Sequence, residues 1–329
     1  MRFNISTSSA ARPVRFLASL APWRLTYSDR GRLVGATELM DLPGADRDEL
    51  ARTLEDLAWI NRRLGGTRLV HTALAPLLHG LRGPIRILDV ATGYADIPRA
   101  IVRWGRRRRL AIEVEGLDHH DQILALARQA SATYPEIHLR QGNALDLPYP
   151  DGHFDVVLAS LILHHMEGEE QARLLRELYR VARRAVLVND LRRGHWPFLL
   201  TWASLHVVSR SRLIHHDGPL SVRRGFLPGE LSALAREAGW AGPRVSHHAF
   251  FRLALVGEKN TDPENETANG RKWTPNFFPR NMIRNEIACT CVNFRFHRDG
   301  WPRAREFRDC MRASPSPGDD QASNRLPRG

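Results

Sequence analysis

The chain of 329 residues is 43% apolar, which suffices for one large α/β domain with additional segments. Its formal net charge of +12 reflects an excess of arginine, since Lys259 and Lys272 are the only lysines, so the charge alone does not indicate nucleic-acid binding. No run of about eighteen uncharged apolar residues is present. We therefore predict no membrane span and a cytoplasmic location.

The N-terminal residues 1–35 are rich in arginine, serine and alanine, and Asp29 is their first acidic residue. This composition suits an organelle transit peptide. Their one apolar patch, residues 14–23, is short and interrupted. We therefore favour a disordered N-terminus over a transit peptide.

Two helices are predicted before the first strand. Leucines recur at helical spacing between residues 46 and 64, with Asp46 as a plausible N-cap and Gly65-Gly66 as the stop. A second helix follows over residues 67–78. Together they predict a helical cap over residues 36–80.

Apolar runs then alternate with helical segments, the pattern of a parallel sheet with crossover helices. The predicted strands lie near 85–90, 112–117, 136–140, 154–160 and 185–190, with helices between them. A helix over residues 230–238 ends at Gly239, and an antiparallel hairpin follows near 243–248 and 251–257. The pattern predicts a doubly wound, Rossmann-like α/β domain over residues 81–258, with a mostly parallel seven-stranded sheet and an antiparallel edge hairpin.

The first predicted strand ends in a small-residue turn, with residues 85–98 reading IRILDVATGYADIP. A dinucleotide fingerprint G-x-G-x-x-G fails here, because its first and third glycines would fall at Ala91 and Asp96. A carboxylate at Asp89 followed by small residues at Ala91, Gly93 and Ala95 instead resembles the first motif of the class I S-adenosylmethionine-dependent methyltransferases.

Two further segments extend this resemblance. Asp118 closes the second strand, where a carboxylate can accept both ribose hydroxyls of an adenosine, although a helix cap for the segment from Asp121 is the alternative. Residues 141–155, QGNALDLPYPDGHFD, resemble the adenine-contacting segment of small-molecule methyltransferases, with Asn143 where an acidic residue is usual. The resemblance implies S-adenosylmethionine as cofactor, bound by Asp89, Ala91, Thr92, Gly93, Tyr94, Asp118, His119, Asn143, Ala144 and Ser160.

Paired histidines follow the fourth strand in the sequence Leu163-His164-His165. One imidazole there could act as a general base, but Leu-His-His also recurs in ubiquinone and menaquinone C-methyltransferases, where it chiefly marks the fold. The fifth strand ends at Asp190, and the loops predicted after it contain Trp196, Trp202, His206, His215, His216 and Asp217. Our candidate catalytic residues are His164, His165, His216 and Asp190.

The expected reaction is methyl transfer to oxygen or carbon of a small aromatic, quinone-like or polyketide-like acceptor. Residues 40–66 and 188–193 resemble bacterial methyltransferases associated with secondary metabolism. A nucleic-acid or protein methyltransferase is the alternative, but the fourth strand lacks the Asn- or Asp-led, proline- and aromatic-containing motif that grips a flipped base. The third alternative is a non-catalytic binding module that keeps the fold but has lost cofactor affinity, and Ala91 and Ala95 support it. The oligomeric state is not predicted.

The last seventy residues differ in composition from the rest. Eight asparagines lie from residue 260 onward against four before it, and the three cysteines, Cys289, Cys291 and Cys310, all fall there. We predict an irregular, disordered tail over residues 259–329. A lone Cys-x-Cys pair does not indicate a zinc or redox site, and no metal site is predicted.

Overall fold

The computed structural model describes residues 31–41, 46–81 and 83–259 of the chain. No helix in these ranges is long and apolar enough to cross a membrane. The predictions for residues 1–30 and for the tail from residue 260 lie outside the described residues. At the end of the N-terminal segment, Arg32 donates hydrogen bonds to the backbone oxygens of Arg224 and His164.

Seven strands form one sheet in the order β3-β2-β1-β4-β5-β7-β6. The strands are β1 (Ile85–Val90), β2 (Ile112–Asp118), β3 (Ile137–Gln141), β4 (Phe154–Ser160), β5 (Ala182–Leu191), β6 (Arg244–His248) and β7 (Arg252–Glu258). The first five are parallel, and β7 runs antiparallel to both β5 and β6. The predicted mostly parallel sheet with an antiparallel edge hairpin is confirmed.

The strand order reverses between β1 and β4, which are hydrogen-bonded neighbours although β2 and β3 separate them in sequence. In open α/β sheets, ligands bind outside the carboxyl ends of the strands at such a reversal. The fold therefore places the ends of β1 and β4, at Val90 and Ser160, beside the expected ligand crevice.

Eight α-helices accompany the sheet in the described part of the chain. They are α1 (Arg47–Arg63), α2 (Gly66–Leu77), α3 (Asp96–Arg108), α4 (Asp121–Ala130), α5 (Glu169–Val181), α6 (His195–Val208), α7 (Arg212–Arg224) and α8 (Pro228–Glu237). The predicted helices before β1 and before the hairpin are confirmed within two residues at each end.

Two details of the connections were wrongly predicted. Residues 142–153, between β3 and β4, form a loop rather than a crossover helix. The segment predicted as loops after β5 forms helices α6 and α7, which hold all six residues named there. Apolar side chains are distributed over all sides of α6, so its sequence shows no amphipathic period. Helix α7 is amphipathic but contains Pro219, a residue that usually ends a helix.

Helix α1 begins where predicted, because Asp46 Oδ1 accepts hydrogen bonds from the amides of Asp48 and Glu49 at 3.0 and 2.9 Å. Two of its buried leucines, Leu50 and Leu54, then pack against α4 in an apolar cluster. This packing fixes α1 against α4, the helix that follows β2.

Apolar layers cover both faces of the sheet, and polar side chains interrupt them at the carboxyl ends of the strands. On the face that packs against α2 and α3, the row of Leu158 and Leu187 ends in Ser160 and Asn189. Asp190 points to the opposite face, since successive strand residues alternate. Two polar clusters, one on each face of the sheet, thus lie at the carboxyl ends of the strands.

Candidate functional site

The turn between β1 and α3 has an unusual backbone. Ala91, Gly93 and Ala95 all adopt positive φ, at 56°, 52° and 54°. For alanine this conformation costs about 1 kcal/mol or more per residue, because Cβ approaches the following carbonyl oxygen. The two alanines therefore accept a backbone path that favours glycine, and they preserve the turn that the sequence motif implied.

Gly93 lies at the centre of this turn and faces open space. Its amide donates a 2.8 Å hydrogen bond to Asp118 Oδ2, while Asp118 Oδ1 accepts from the His120 amide at 3.0 Å. Among the described residues, no atom lies within 4 Å of the position that a Cβ on Gly93 would occupy. The turn therefore leaves room for a ligand beside Gly93 and the end of β2.

Asp89 lies beneath the same turn and is almost completely buried. Thr92 Oγ1 donates to its Oδ2 at 2.8 Å, but Oδ1 has no hydrogen-bond partner among the described residues. Burial raises the pKa of Asp89 to about 7, and the charges of Asp96 and Asp118 add to this effect. A cationic ligand group beside Oδ1 would satisfy an acceptor that the protein leaves unpaired.

The loop after β3 contributes residues of two kinds. Asn143 is exposed, and its Oδ1 accepts a 2.9 Å hydrogen bond from the Leu145 amide, which leaves its side-chain amino group for other contacts. Ala144 packs against the core. The imidazole of His119 is 79% exposed. Asn143 and His119, which follows β2, are thus exposed, and Ala144 is half-buried.

Tyr94 and Ser160 connect the turn to its surroundings. Tyr94 joins the apolar cluster of Leu50 and Leu54, so α1 packs directly on the β1–α3 turn. Ser160 Oγ lies 3.5 Å from Asn189 Nδ2, and Asn189 Oδ1 has no partner among the described residues. A second unpaired buried acceptor therefore lies on the same sheet face as Asp89.

A buried arginine that the sequence analysis missed completes this face. Arg252 Nη2 donates to Asn61 Oδ1 at 3.0 Å, and Asn61 in turn donates to Asp96 Oδ2 at 3.1 Å. Burial lowers the pKa of Arg252 to about 10, although Asp190 and Asp96 oppose this effect. Its Nη1 has no partner in the described chain. The sequence signal that could have revealed Arg252 is a charged residue in an otherwise apolar predicted strand.

The other polar cluster centres on His164, which is nearly inaccessible to solvent. Its Nδ1 lies 2.7 Å from Asp190 Oδ1, and its Nε2 lies 3.7 Å from Glu38 Oε1. His165 Nε2 lies 3.7 Å from the second oxygen of Glu38. Burial favours the neutral carboxyl of Asp190, but the charge and hydrogen bond of His164 prevail and hold its pKa below the usual range.

His216 lies on α7 and takes no part in the hydrogen bond between His164 and Asp190. Its Nδ1 is 2.8 Å from Asp217 Oδ1, and Asp217 also accepts hydrogen bonds from the amides of Leu39 and Met40. Asp217 thus anchors the segment that follows Glu38. The structure brings His164, His165 and Asp190 together, and a direct catalytic role of any of the four candidates stays a prediction.

Glu38 was not among the predicted site residues. It lies far from His164 in sequence, in a segment without helical or strand period, so no local pattern connects the two. Only the packing of residues 32–41 against α7 and the turn after β4 places this carboxylate between the histidines.

A family model described as "Methyltransferase domain" matches residues 88–188. The demethylmenaquinone methyltransferase of Thermus thermophilus is 39% identical over 101 residues, which are 30% of this chain and 43% of that protein. The demethylmenaquinone methyltransferase of Bacillus licheniformis is 35% identical over 177 residues, 50% of this chain and 72% of that protein.

A third relative is the 2-phytyl-1,4-naphtoquinone methyltransferase of Thermosynechococcus vestitus. It is 37% identical over 184 residues, which are 50% of this chain and 75% of that protein. The chain thus spans less than half of the Thermus thermophilus relative, and nearly three quarters or more of the other two.

Proposed function

The chain belongs to the class I S-adenosylmethionine-dependent methyltransferases, and on that premise we propose that it transfers a methyl group from S-adenosylmethionine to a quinone-like small molecule. The observation that supports this most strongly is the open turn at Gly93, held against Asp118 above the buried Asp89. The acceptor atom is oxygen or carbon.

The residues of the turn fit the cofactor. Asp89 Oδ1 is a buried acceptor without a donor, which suits the ammonium of the methionine moiety. Gly93 offers backbone without a side chain, and Asp118 offers two carboxylate oxygens that keep lone pairs for ribose hydroxyls. Asn143 and Ala144 are proposed to contact the adenine, and Ala91, Thr92, Tyr94, His119 and Ser160 to complete the site.

When bound, S-adenosylmethionine supplies a methyl group on a cationic sulfur. The protein then has mainly to align the acceptor and exclude water. Helix α1 is placed for this task, because Leu50 and Leu54 fix it over the turn through Tyr94. The buried Arg252 reaches the end of the same helix through Asn61, which supports a closed cap on that side.

The acceptor class is inferred from the relatives, two of which are named for demethylmenaquinone and one for a phytylated naphthoquinone. Cytoplasmic location and a role in secondary metabolism remain part of the proposal. Within the described residues, the end of β4 reads Ala159-Ser160-Leu161 and offers no base-gripping side chains, which favours a small molecule over nucleic acid.

The test is a methyl-transfer assay with isotopically labelled S-adenosylmethionine. The full chain is incubated separately with a reduced prenylated naphthoquinone, a reduced prenylated benzoquinone, transfer RNA and a protein extract. We expect label in one of the quinol products. Label only in RNA or protein would replace the proposed acceptor, and the absence of label in both quinols would contradict it. Failure of the chain to bind S-adenosylmethionine in calorimetry would favour the non-catalytic module.

A further inference from the structure

Glu38, His164 and His165 form a cluster that includes none of the residues proposed to bind the cofactor. We propose that these three side chains bind one divalent transition-metal ion of the zinc type. Each offers one ligand atom, and the three atoms all lie within 4.8 Å of one another. This inference does not depend on the methyltransferase function.

The distances suit a shared ion better than direct hydrogen bonds. Glu38 Oε1 and Oε2 lie 3.7 Å from His164 Nε2 and His165 Nε2, respectively, which is beyond hydrogen-bond range. Zinc binds imidazole nitrogen and carboxylate oxygen at about 2.0 to 2.2 Å, so tetrahedral ligand atoms lie about 3.3 Å apart. Since the three ligand atoms lie within 4.8 Å of one another, movements of at most about 1.5 Å would bring them to this spacing.

Asp190 supplies the outer contact that metal-bound histidines usually have. Its Oδ1 lies 2.7 Å from His164 Nδ1, and its Oδ2 accepts from the His164 amide at 3.2 Å. A carboxylate on Nδ1 fixes the ring orientation and leaves Nε2 as the electron-pair donor. In this structure Nε2 is the atom that faces Glu38.

Arg224 holds the two segments of the cluster in place. Its guanidinium donates to the backbone oxygens of His164 and His165 at 2.9 and 2.8 Å, and also to the backbone oxygen of Ala36. On the other side, Ser221 Oγ lies 2.7 Å from Glu38 Oε1. The ligands are thus pre-positioned by buried contacts rather than by a mobile loop.

The carboxylates and guanidiniums around the cluster balance in formal charge. Glu38 and Asp190 are two buried carboxylates beside the imidazoles. The guanidinium groups of Arg32 and Arg224 are also near, but each is hydrogen-bonded to backbone oxygens. Two imidazoles and a carboxylate leave open coordination positions and suit zinc or a neighbouring first-row ion rather than calcium or magnesium.

The test uses the full chain with Cys289, Cys291 and Cys310 replaced by serine, since thiols outside the described residues also bind zinc. After chelator treatment and dialysis, ZnCl₂ is titrated by calorimetry and CoCl₂ by visible absorption. The variants are Glu38→Gln, which keeps the side-chain shape, and His165→Ala. The control is His247→Ala on β6, an exposed histidine outside the cluster.

We expect one ion per chain, a weakening of roughly tenfold or more in each cluster variant, and no change in the control. Ligand-field bands of Co²⁺ should appear in the parent and diminish in the variants. Thermal unfolding without metal checks that each variant is folded. If His165→Ala does not fold, the result with Glu38→Gln decides the test. Absence of binding to the parent, or equal affinity in the parent and the folded cluster variants, would overturn the proposal.

Discussion

The Gly93 amide and the Asp118 carboxylate, 25 residues apart in the chain, are joined by a 2.8 Å hydrogen bond across neighbouring strand ends. This contact fixes the turn after β1 to the end of β2. It also aligns an open backbone surface with a carboxylate that keeps lone pairs for a ligand. The proposed cofactor site depends on this pair.

Asp118→Asn should weaken S-adenosylmethionine binding by about 1 to 3 kcal/mol, because a charged acceptor becomes neutral. The substitution also places an amino group against one of the two backbone amides that Asp118 now accepts from. Calorimetric titration measures the affinity. Asp121→Asn, an exposed carboxylate in the first turn of α4, is the matched control. Equal affinities in the two variants would remove Asp118 from the site.

Cofactor affinity should depend on the protonation of Asp89. Burial raises its pKa from 3.8 to about 7, with Asp96 and Asp118 as nearby like charges and Thr92 as the hydrogen-bond donor. Between those two values the folded protein binds a proton that the unfolded chain releases. Asp89 therefore lowers stability progressively as pH rises from about 4 to about 7, and its effect is constant above that range.

An ammonium group can pair only with the ionised Asp89, so affinity should rise with pH and level off above about 7. Calorimetry at intervals from about pH 5.5 to about pH 8.5 measures this profile. Asp89→Asn should reduce affinity and flatten the dependence. A parent profile that is flat, or a variant profile that keeps its slope, would show that Asp89 does not pair with the ammonium.

The position of β7 between β5 and β6 can be tested through Gly257. A Cβ there would overlap the Trp240 ring, whose Nε1 donates to Leu175 O at 3.0 Å. Gly257→Ala should therefore lower the free energy of unfolding by about 1 to 3 kcal/mol. Gly229→Ala in α8 meets no atom within 4 Å and should be neutral or slightly stabilising. Denaturant unfolding of both variants compares them, and equal stability would contradict this packing.

Most of the fold was predictable because the hydrophobic periodicity and the residues at the boundaries indicate the same helices and strands. Strand β1 is a buried run that ends in a turn, and Asp46 caps α1 as its side chain allows. Helix α6 was not predictable in this way. It is apolar on all sides, so its sequence shows no face that marks it as a surface helix.

The candidate site was predictable only where a local motif encodes it. Asp89 and Asp118 lie at the carboxyl ends of β1 and β2, and Gly93 follows β1, so their proximity follows from a parallel sheet. Glu38 and Arg252 reach their clusters through packing between distant segments, which no spacing in the sequence describes. Asn61 likewise depends on the way in which α1 meets β7.

The proposed cofactor site is tested by S-adenosylmethionine binding to Gly93→Asn, with Gly239→Asn as control. Both glycines have positive φ and open space beside them, and asparagine tolerates this backbone better than most residues. We expect the parent and Gly239→Asn to bind alike by calorimetry, and Gly93→Asn to lose at least about tenfold in affinity, or roughly 1.4 kcal/mol. No binding to the parent, or unchanged binding to Gly93→Asn, would contradict the account.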